Sequence, residues 1–350
     1  MHRSGLIAAS ALLALGVACK AEAPSTAAQA QAIAPKGDQI WAASGVVRVI
    51  DSARQGVIGQ VPVGHPITSM VFAPDGSTAY VGTSLGLYVV EVGTRAVRGP
   101  LTADPIRRLE LQGNLLFILQ HQVILGPDGT RDIQPFRLVH FDRTTEKVVD
   151  DQEIGQRIHY ASDQDGRHLV ISEAGQVRIG NSPENLSAGR ALDLPSLVPG
   201  RGPYRVRGDV TVREGSRALV AIEGKPAHLL VLDLEAGSAR AIDLGRETGI
   251  RGLAFLPDGR RAVVNAMSHL LVVELASGKV TGQLELPGPH VGASLSADGQ
   301  SLYLAQTVEG TGGAVTQVHL SPLAVGIHVH LEDISPWALA VLPGANPHQP

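Results

Sequence analysis

The sequence predicts an all-β fold, a seven-bladed β-propeller, on three observations. Residues 67–81, 250–264 and 290–304 repeat one pattern, in which a short alternating strand, a turn with the dipeptide Asp-Gly and a second strand follow one another. Similar turns recur at intervals of roughly 40 to 50 residues, which is the length of a propeller blade. The two ends of the chain carry strand patterns that complete one further blade.

Each repeat unit is predicted to be a blade of four antiparallel strands. Asp-Gly suits a tight hairpin because Gly adopts a positive φ without strain and Asp tolerates it. Two more strands follow each turn, as in residues 87–92 and 96–99. Six complete units are predicted between residues 65 and 331. Their turn dipeptides are Asp75-Gly76, Gly113-Asn114, Asp165-Gly166, Glu214-Gly215, Asp258-Gly259 and Asp298-Gly299.

The seventh blade is predicted to come from both termini. Residues 337–342 have the pattern of an inner strand, whereas residues 40–43, 46–50 and 57–63 form three strands that lack one. Joining them closes the ring and removes exposed sheet edges. The propeller is therefore predicted over residues 38–343, followed by a flexible tail at residues 344–350.

The N-terminal segment predicts export. After a basic start at His2 and Arg3, residues 6–17 are mostly apolar but fall short of the roughly 20 residues that a membrane-spanning helix needs, so residues 1–19 are predicted to be a signal peptide. Cys19, the single cysteine, follows small residues and resembles the lipobox cysteine of bacterial lipoproteins, with ordinary signal cleavage as the alternative. Residues 20–37, rich in Ala, Gln and Pro, are predicted to be a disordered tether. The predicted location is the periplasm or cell envelope.

Composition limits the partners. The formal net charge is −4 and aromatic residues make up 3% of the chain, so neither nucleic acid nor an anionic membrane surface is a predicted partner. The one membrane attachment that we predict is a lipid on Cys19. A single cysteine also excludes an intrachain disulfide and a cysteine-based zinc site.

Catalytic motifs are absent from the sequence. There is no Cys-x-x-Cys-His for haem attachment and no Gly-x-Ser-x-Gly elbow, and the short run Gly278-Lys279-Val280-Thr281 lacks the upstream glycine and the hydroxyl of a phosphate loop. No catalytic residue and no cofactor in this chain is therefore predicted. Whether the protein takes part in an enzyme stays open, at most as a supporting subunit.

Three histidines, His319, His328 and His330, are candidate metal ligands. His328 and His330 alternate along one strand and share a face, and His319 precedes them on the neighbouring strand. Exposed polar alternation on an outer strand is the better explanation of the pattern, and we predict no metal site.

A ring of basic side chains is predicted at one end of the central channel. His65, Arg157, Arg207, Arg251 and His290 all fall near the start of different inner strands, and a propeller brings those starts to one axis. Other basic residues near such starts are Arg107, Arg108, His159 and Arg205. The ring would favour an anionic ligand or an acidic partner. The alternative is that the arginines pair with acidic groups of neighbouring blades. Longer insertions at residues 120–134, 195–203 and 307–313 lie on the same face.

The sequence resembles a known family at several motifs. Tyr80-Val81-Gly82-Thr83 after a Pro-Asp-Gly turn resembles YVTN-type bacterial propellers. Gln134-Pro135-Phe136-Arg137 leading into Phe141-Asp142 and Thr145, then Asp165-Gly166 and Leu169, is similar to the β chain of quinohemoprotein amine dehydrogenase, as is the stretch from Leu286-Pro287 through Asp298-Gly299 to Trp337. This resemblance implies a periplasmic, haem-free propeller subunit whose haems lie in an α chain and whose quinone lies in a small γ chain. No catalytic residue of that family is carried over.

Two functions therefore compete. The first is an exported, non-catalytic propeller that binds a protein partner or a small anionic ligand at the face with the long loops. The second is a haem-free β-type subunit of an amine-oxidising complex that works with redox partner subunits. A hydrolase or lactonase is a weaker third reading. Calcium-dependent propellers of that kind need several carboxylates that converge on the channel, whereas the channel mouth predicted here is basic.

Overall fold

The computed structural model describes most of the predicted propeller. The described residues are 37–125, 131–162, 167–172, 174–180, 190–194, 205–213, 217–224, 226–245, 249–266, 269–286, 288–308 and 312–342. The predicted signal peptide with Cys19, the tether apart from Gly37, and the predicted tail lie outside them. So do the turns Asp165-Gly166 and Glu214-Gly215.

Alternating apolar residues and frequent turns give β-strands throughout the described residues. In chain order the strands are β1 (Gln39–Ala43), β2 (Val47–Asp51), β3 (Gly56–Val61), β4 (Ile67–Phe72), β5 (Thr78–Thr83), β6 (Gly86–Glu91), β7 (Val97–Arg98), β8 (Ile106–Gln112), β9 (Leu115–Gln120), β10 (Val123–Leu125), β11 (Arg131–Ile133), β12 (Phe136–Asp142), β13 (Lys147–Gly155), β14 (Ile158–Ser162), β15 (His168–Ser172), β16 (Gln176–Gly180), β17 (Arg190–Asp193), β18 (Arg205–Arg213), β19 (Arg217–Glu223), β20 (His228–Asp233), β21 (Ser238–Asp243), β22 (Ile250–Phe255), β23 (Arg261–Ala266), β24 (His269–Glu274), β25 (Lys279–Glu285), β26 (His290–Leu295), β27 (Ser301–Val308), β28 (Gly312–Leu320), β29 (Leu323–Leu331) and β30 (Ala338–Val341).

These strands form seven four-stranded antiparallel sheets, the blades. From the inner to the outer strand, blades 1 to 7 are β4-β5-β6-β7, β8-β9-β12-β13, β14-β15-β16-β17, β18-β19-β20-β21, β22-β23-β24-β25, β26-β27-β28-β29 and β30-β1-β2-β3. The insertion at residues 120–134, predicted as a loop, instead contains a separate hairpin of β10 and β11. The sevenfold all-β prediction is confirmed.

The Asp-Gly dipeptides form the turns between first and second strands, as predicted. Gly76, Gly259 and Gly299 have φ values of 69°, 63° and 65°, in the left-handed region that glycine adopts without strain. The preceding carboxylate closes the turn: Asp258 Oδ1 accepts the backbone N–H of Arg260 at 2.8 Å. Local residue chemistry therefore sets the register of these three hairpins.

The two termini close the ring in one blade. β30 pairs antiparallel with β1, from Ala338 opposite Ala43 to Val341 opposite Ile40. Seven apolar clusters fill the spaces between neighbouring blades, one cluster for each pair. In the cluster between blades 7 and 1, Trp41 is fully buried and meets Phe72 edge-on, with 5.1 Å between ring centroids. The continuous apolar ring holds the blades together.

The strand directions give the propeller two distinct faces. Inner strands begin, and outer strands end, on what we call the loop face, which also carries the β10–β11 hairpin. The Asp-Gly turns lie on the opposite side, the turn face. Inner strands of successive blades contact each other, and between β8 and β14 the link is the Ser162 N–H, which donates to Glu110 Oε2 at 2.8 Å. The inner strands therefore surround one central channel.

Candidate functional site

The predicted basic residues all lie at the loop-face end of inner strands. His65 lies in the connection to β4, Arg157 directly precedes β14, and Arg207, Arg251 and His290 lie on β18, β22 and β26. The fold therefore places these residues, which come from five different blades, around one channel mouth. The side chain of Arg207 lies outside the described residues, and a role of the five in ligand binding stays a prediction.

A β-bulge near the start of the inner strand recurs around the ring. In four blades the second residue of the inner strand has no partner on the second strand of the blade. In β18 the pairing with β19 is interrupted between Arg207 and Val210. The skipped residues of the four single bulges are Thr68, Arg107, Arg251 and Val291. Bulges bend a strand and redirect side chains. Arg107 and Arg251 are both exposed at these bulges.

Arg251 is the predicted site residue that best fits an open basic mouth. It is exposed, and it forms no ion pair with any residue that the structure describes. Arg157 is also exposed and holds a left-handed backbone with φ 49°. His65 is half-buried beside Tyr88, with 5.7 Å between ring centroids.

His290 lies inside the fold rather than on the exposed rim. Its side chain is 0% exposed, and it stands opposite the buried Gln306 at the first position of β26. Ile67 and Ile250 occupy that first position in β4 and β22, where they belong to the apolar clusters between blades. The repeat itself carried this signal, because His290 aligns with those two core isoleucines.

Arg108 links the inner strands of blades 2 and 4. Its Nε donates to Glu110 Oε1 at 2.7 Å, and its Nη2 donates to the carbonyl of Val210 at 3.3 Å. Val210 is on the inner strand of blade 4, so the guanidinium reaches past the inner strand of blade 3. Burial raises the pKa of Glu110, while Arg108 and the hydrogen bonds from Ser162 lower it. The channel interior therefore holds a partnered cation, unlike Arg251 at the mouth.

A small polar cavity lies at the base of the β10–β11 hairpin. It has a volume of about 180 Å³, and its lining includes Asp104, His121, Gln134, Arg137 and Glu153. Arg137 forms an ion pair with Asp151 and lies 3.7 Å from Asp104. Two carboxylates in the lining make this cavity a poor anion site. The Gln134-Pro135-Phe136-Arg137 motif therefore contributes to a pocket that the sequence did not predict.

His121 is the neutral member of that cavity. Its ring stacks on Phe136 with 4.8 Å between centroids, and burial, then the charge of Arg107, lowers its pKa. A neutral imidazole has no positive charge with which to offset the two carboxylates in the lining. The cavity can bind small polar groups, but it does not extend the basic mouth.

Exposed apolar side chains accompany the basic mouth on the loop face. Trp337, directly before β30, is 60% exposed, and Leu85, Val123 and Ile124 are exposed in the loops of blades 1 and 2. The sequence predicts that the inner strand of blade 7 begins at Trp337, whereas β30 begins one residue later, at Ala338. The structure keeps only the backbone of Trp337 in the blade, where its N–H donates to the carbonyl of Ala43 at 2.8 Å.

The three histidines considered as metal ligands are only partly brought together. His328 and His330 are neighbours, with 4.6 Å between ring centroids, whereas His319 stands opposite Ala324, further along the β28–β29 pair. In the part of the chain that the structure describes, no three His, Cys, Asp or Glu side chains are grouped to hold a metal ion. No helix among those residues is long and apolar enough to cross a bilayer.

Comparison with known proteins supports the fold. The sequence matches no protein-family model and no curated protein. The chain is similar in structure to hydrazine synthase of Kuenenia stuttgartiensis (TM-score 0.62, 13% identity, 79% of this chain and 89% of that one). It is also similar to a functionally unknown protein of Desulfotomaculum acetoxidans (TM-score 0.63, 13% identity, 87% and 98%) and to AztD of Citrobacter koseri (TM-score 0.59, 12% identity, 87% and 98%). At these identities the likeness concerns the fold alone: the chain is a seven-bladed β-propeller with bacterial propeller proteins as structural neighbours.

Proposed function

We propose that this protein is an exported, non-catalytic binding scaffold whose loop face takes a protein partner or ligand that presents negative charge. The observation that carries the proposal is Arg251, exposed at a bulge beside the channel mouth and without an ion-pair partner among the described residues. Arg157, Arg207 and His65 are the proposed companions, and Arg107 joins them because it occupies the equivalent bulge of blade 2. His290, which is fully buried, is not proposed to contact the ligand.

Electrostatics favours an anion at this mouth. Guanidinium groups bind carboxylates and phosphates in a two-point geometry, and several of them around a narrow opening add their fields. Within the channel, Arg108 already has Glu110 as its partner, so it does not compete for the ligand. The proposal needs no cofactor in this chain.

Export is proposed from the N-terminal sequence, with Cys19 as the lipidation site and the cell envelope as the location. A lipid anchor would leave the propeller free to meet partners in the periplasm. Cys19→Ser is expected to move the protein from the membrane fraction to the soluble fraction in cell fractionation. Unchanged membrane association of this variant would contradict lipidation.

Calorimetric titration at low salt tests the proposed loop-face binding. The probes are inorganic phosphate and a hexa-aspartate peptide, added to the wild type, to Arg251→Ala and to Arg260→Ala. Arg260 is the matched control, because it is an exposed arginine of the same blade on the turn face. We expect at least one probe to bind, and to bind more weakly to Arg251→Ala alone. Equal binding to both variants would contradict the proposal.

A second candidate is a haem-free β-type subunit of an amine dehydrogenase-like complex. It is favoured by the Gln134-Pro135-Phe136-Arg137 motif, which lines the cavity beside the projecting β10–β11 hairpin on the loop face. In that case partner subunits would carry the redox chemistry. Neighbouring genes for a di-haem cytochrome and a small cysteine-rich protein would favour this candidate, and a neighbourhood without them would count against it.

A further inference from the structure

The perimeter of the loop face is acidic. In blades 2 to 5 the outermost strand has an exposed carboxylate at or near its end on that face. In blade 6 the exposed carboxylate directly follows the outermost strand. These residues are Glu153, Asp193, Asp243, Glu285 and Glu332. Between them they cover the outer edge of five of the seven blades, from blade 2 to blade 6.

Cations on the same outer strands lie toward the other face. β13 and β25 begin with Lys147 and Lys279 on the turn face. On β21, Arg240 donates hydrogen bonds to the carbonyl groups of Leu275 and Ala276, in a turn-face hairpin of blade 5. The strands are thus polarised, and their own cations are displaced from the acidic ends.

The centre of the same face has the opposite character. Arg107 and Arg251 are exposed there, on the inner strands of blades 2 and 5. Trp337, directly before the inner strand β30 of blade 7, exposes 60% of its surface on the same face. Inner and outer strands of a blade are three strand spacings apart, about 14 Å at roughly 4.8 Å each. The loop face therefore has a basic, aromatic centre and an acidic perimeter separated by more than the width of a small anion.

This arrangement favours a protein over a small ligand. A phosphate or a single carboxylate can occupy the centre, but it leaves the perimeter and the Trp337 ring without a counterpart. Trp and Arg are the residues most enriched among energetically dominant interface positions, and complementary charge zones fix the orientation of a partner. Leu85 and Ile124, both exposed on this face, add apolar surface to it.

Resting on the function proposed above, we propose that the occupant of the loop face is a protein whose surface presents an acidic and apolar protrusion surrounded by basic residues. The protrusion contacts Arg107, Arg251 and Trp337, and the surrounding basic residues face the acidic perimeter. A small anion bound only at the centre is the competing outcome.

Two synthetic peptides of identical composition test the charge pattern. The matched peptide has a central block of Asp, Glu and Leu flanked by lysines, and the reversed peptide has the lysines in the centre. Trp337 also supplies the signal, because the only other tryptophan, Trp41, is fully buried. We expect the matched peptide to shift the tryptophan emission to the blue and to protect it from acrylamide quenching, and the reversed peptide to do neither.

Variants then assign the two zones by calorimetry. Trp337→Ala and the pair Asp243→Lys with Glu285→Lys should each weaken the matched peptide about tenfold. Val149→Ala, an exposed apolar residue on the outer strand of blade 2, and Arg260→Ala on the turn face should change nothing. Circular dichroism and melting temperatures should confirm that every variant remains folded.

The outcomes separate this inference from the proposed function. The protein-partner inference is overturned if both peptides bind with equal affinity, or if phosphate binds and neither peptide does. In either case, if Arg251→Ala is the one variant that weakens binding, the face is an anion site. If neither phosphate, hexa-aspartate nor the matched peptide binds the wild type, the proposed function fails together with it.

Discussion

Glu110 is a carboxylate held in the central channel by Arg108 and Ser162. Burial raises its pKa above the ordinary value, and the hydrogen bonds that it accepts oppose that rise. A raised pKa means that the folded protein binds the proton more tightly than the unfolded chain does. The contribution of Glu110 to stability is then fully present below the pKa of the unfolded chain and falls as pH rises through the folded value.

Glu110→Gln should therefore remove one source of pH dependence. We expect the free energy of unfolding of the variant, measured by urea titration between about pH 4 and pH 8, to improve relative to the wild type as pH rises. The variant cannot ionise, so it is spared the cost of burying the charge. A variant that loses ground to the wild type with rising pH would show that Arg108 outweighs burial and lowers the pKa.

Arg157 combines a predicted binding charge with a strained backbone. A left-handed conformation costs a residue with a Cβ roughly 1 to 2 kcal/mol, and glycine avoids that cost. Arg157→Gly should thus be more stable than Arg157→Ala by about 1 kcal/mol in denaturant titration, although both variants lack the charge. Equal stability of the two variants would mean that the φ of 49° is not held in solution.

At the scale of strands and loops, much of the structure could be predicted from local sequence. Alternation and Asp-Gly turns predicted the hairpins, and the unmatched strands at both ends predicted the closure of blade 7. Other features depend on distant contacts or on register. The hydrogen bond from Arg108 to Val210 joins blades that are not neighbours, and the bulge at Arg251 has no turn dipeptide to mark it.

The candidate site was only partly predictable for the same reasons. The starts of the inner strands were located correctly, so the fold does bring the predicted residues to one mouth. The alignment of His290 with Ile67 and Ile250 indicates that it is buried, but nothing in the repeat indicates that Trp337 is exposed. The β10–β11 hairpin was missed because three-residue strands leave little alternation to detect.

The closing strand β30 should matter more for stability than its length suggests. The chain joins β30 to β29 of blade 6, and hydrogen bonds pair β30 with β1 of blade 7, so β30 links these two blades. It also contacts β4 and β26. Deleting residue 336 onward should open the ring and lower the melting temperature by on the order of 10 °C or more. Deleting only residues 344–350 is the control. A truncated protein that melts like the control would contradict the closure.

At the scale of the whole molecule, the net charge is −4, and positive and negative side chains are separated by their place in the fold rather than by their place in the sequence. Exposed arginines lie around the channel mouth on the loop face, while carboxylates end the outer strands of five blades on the same face. No contiguous stretch of sequence carries this pattern. It appears because the propeller places residues about one blade apart in sequence at the same distance from one axis.

The salt dependence of hexa-aspartate binding tests the central claim, a basic mouth for negatively charged partners, most directly. Calorimetric affinities would be measured from about 0.01 M to about 0.15 M salt for the wild type, for the double variant Arg107→Ala with Arg251→Ala, and for Arg260→Ala. We predict that wild-type and Arg260→Ala affinities fall together as salt screens the mouth, and that the double variant binds more weakly with a shallower dependence. A double variant that matches the wild type at every salt concentration would contradict the account.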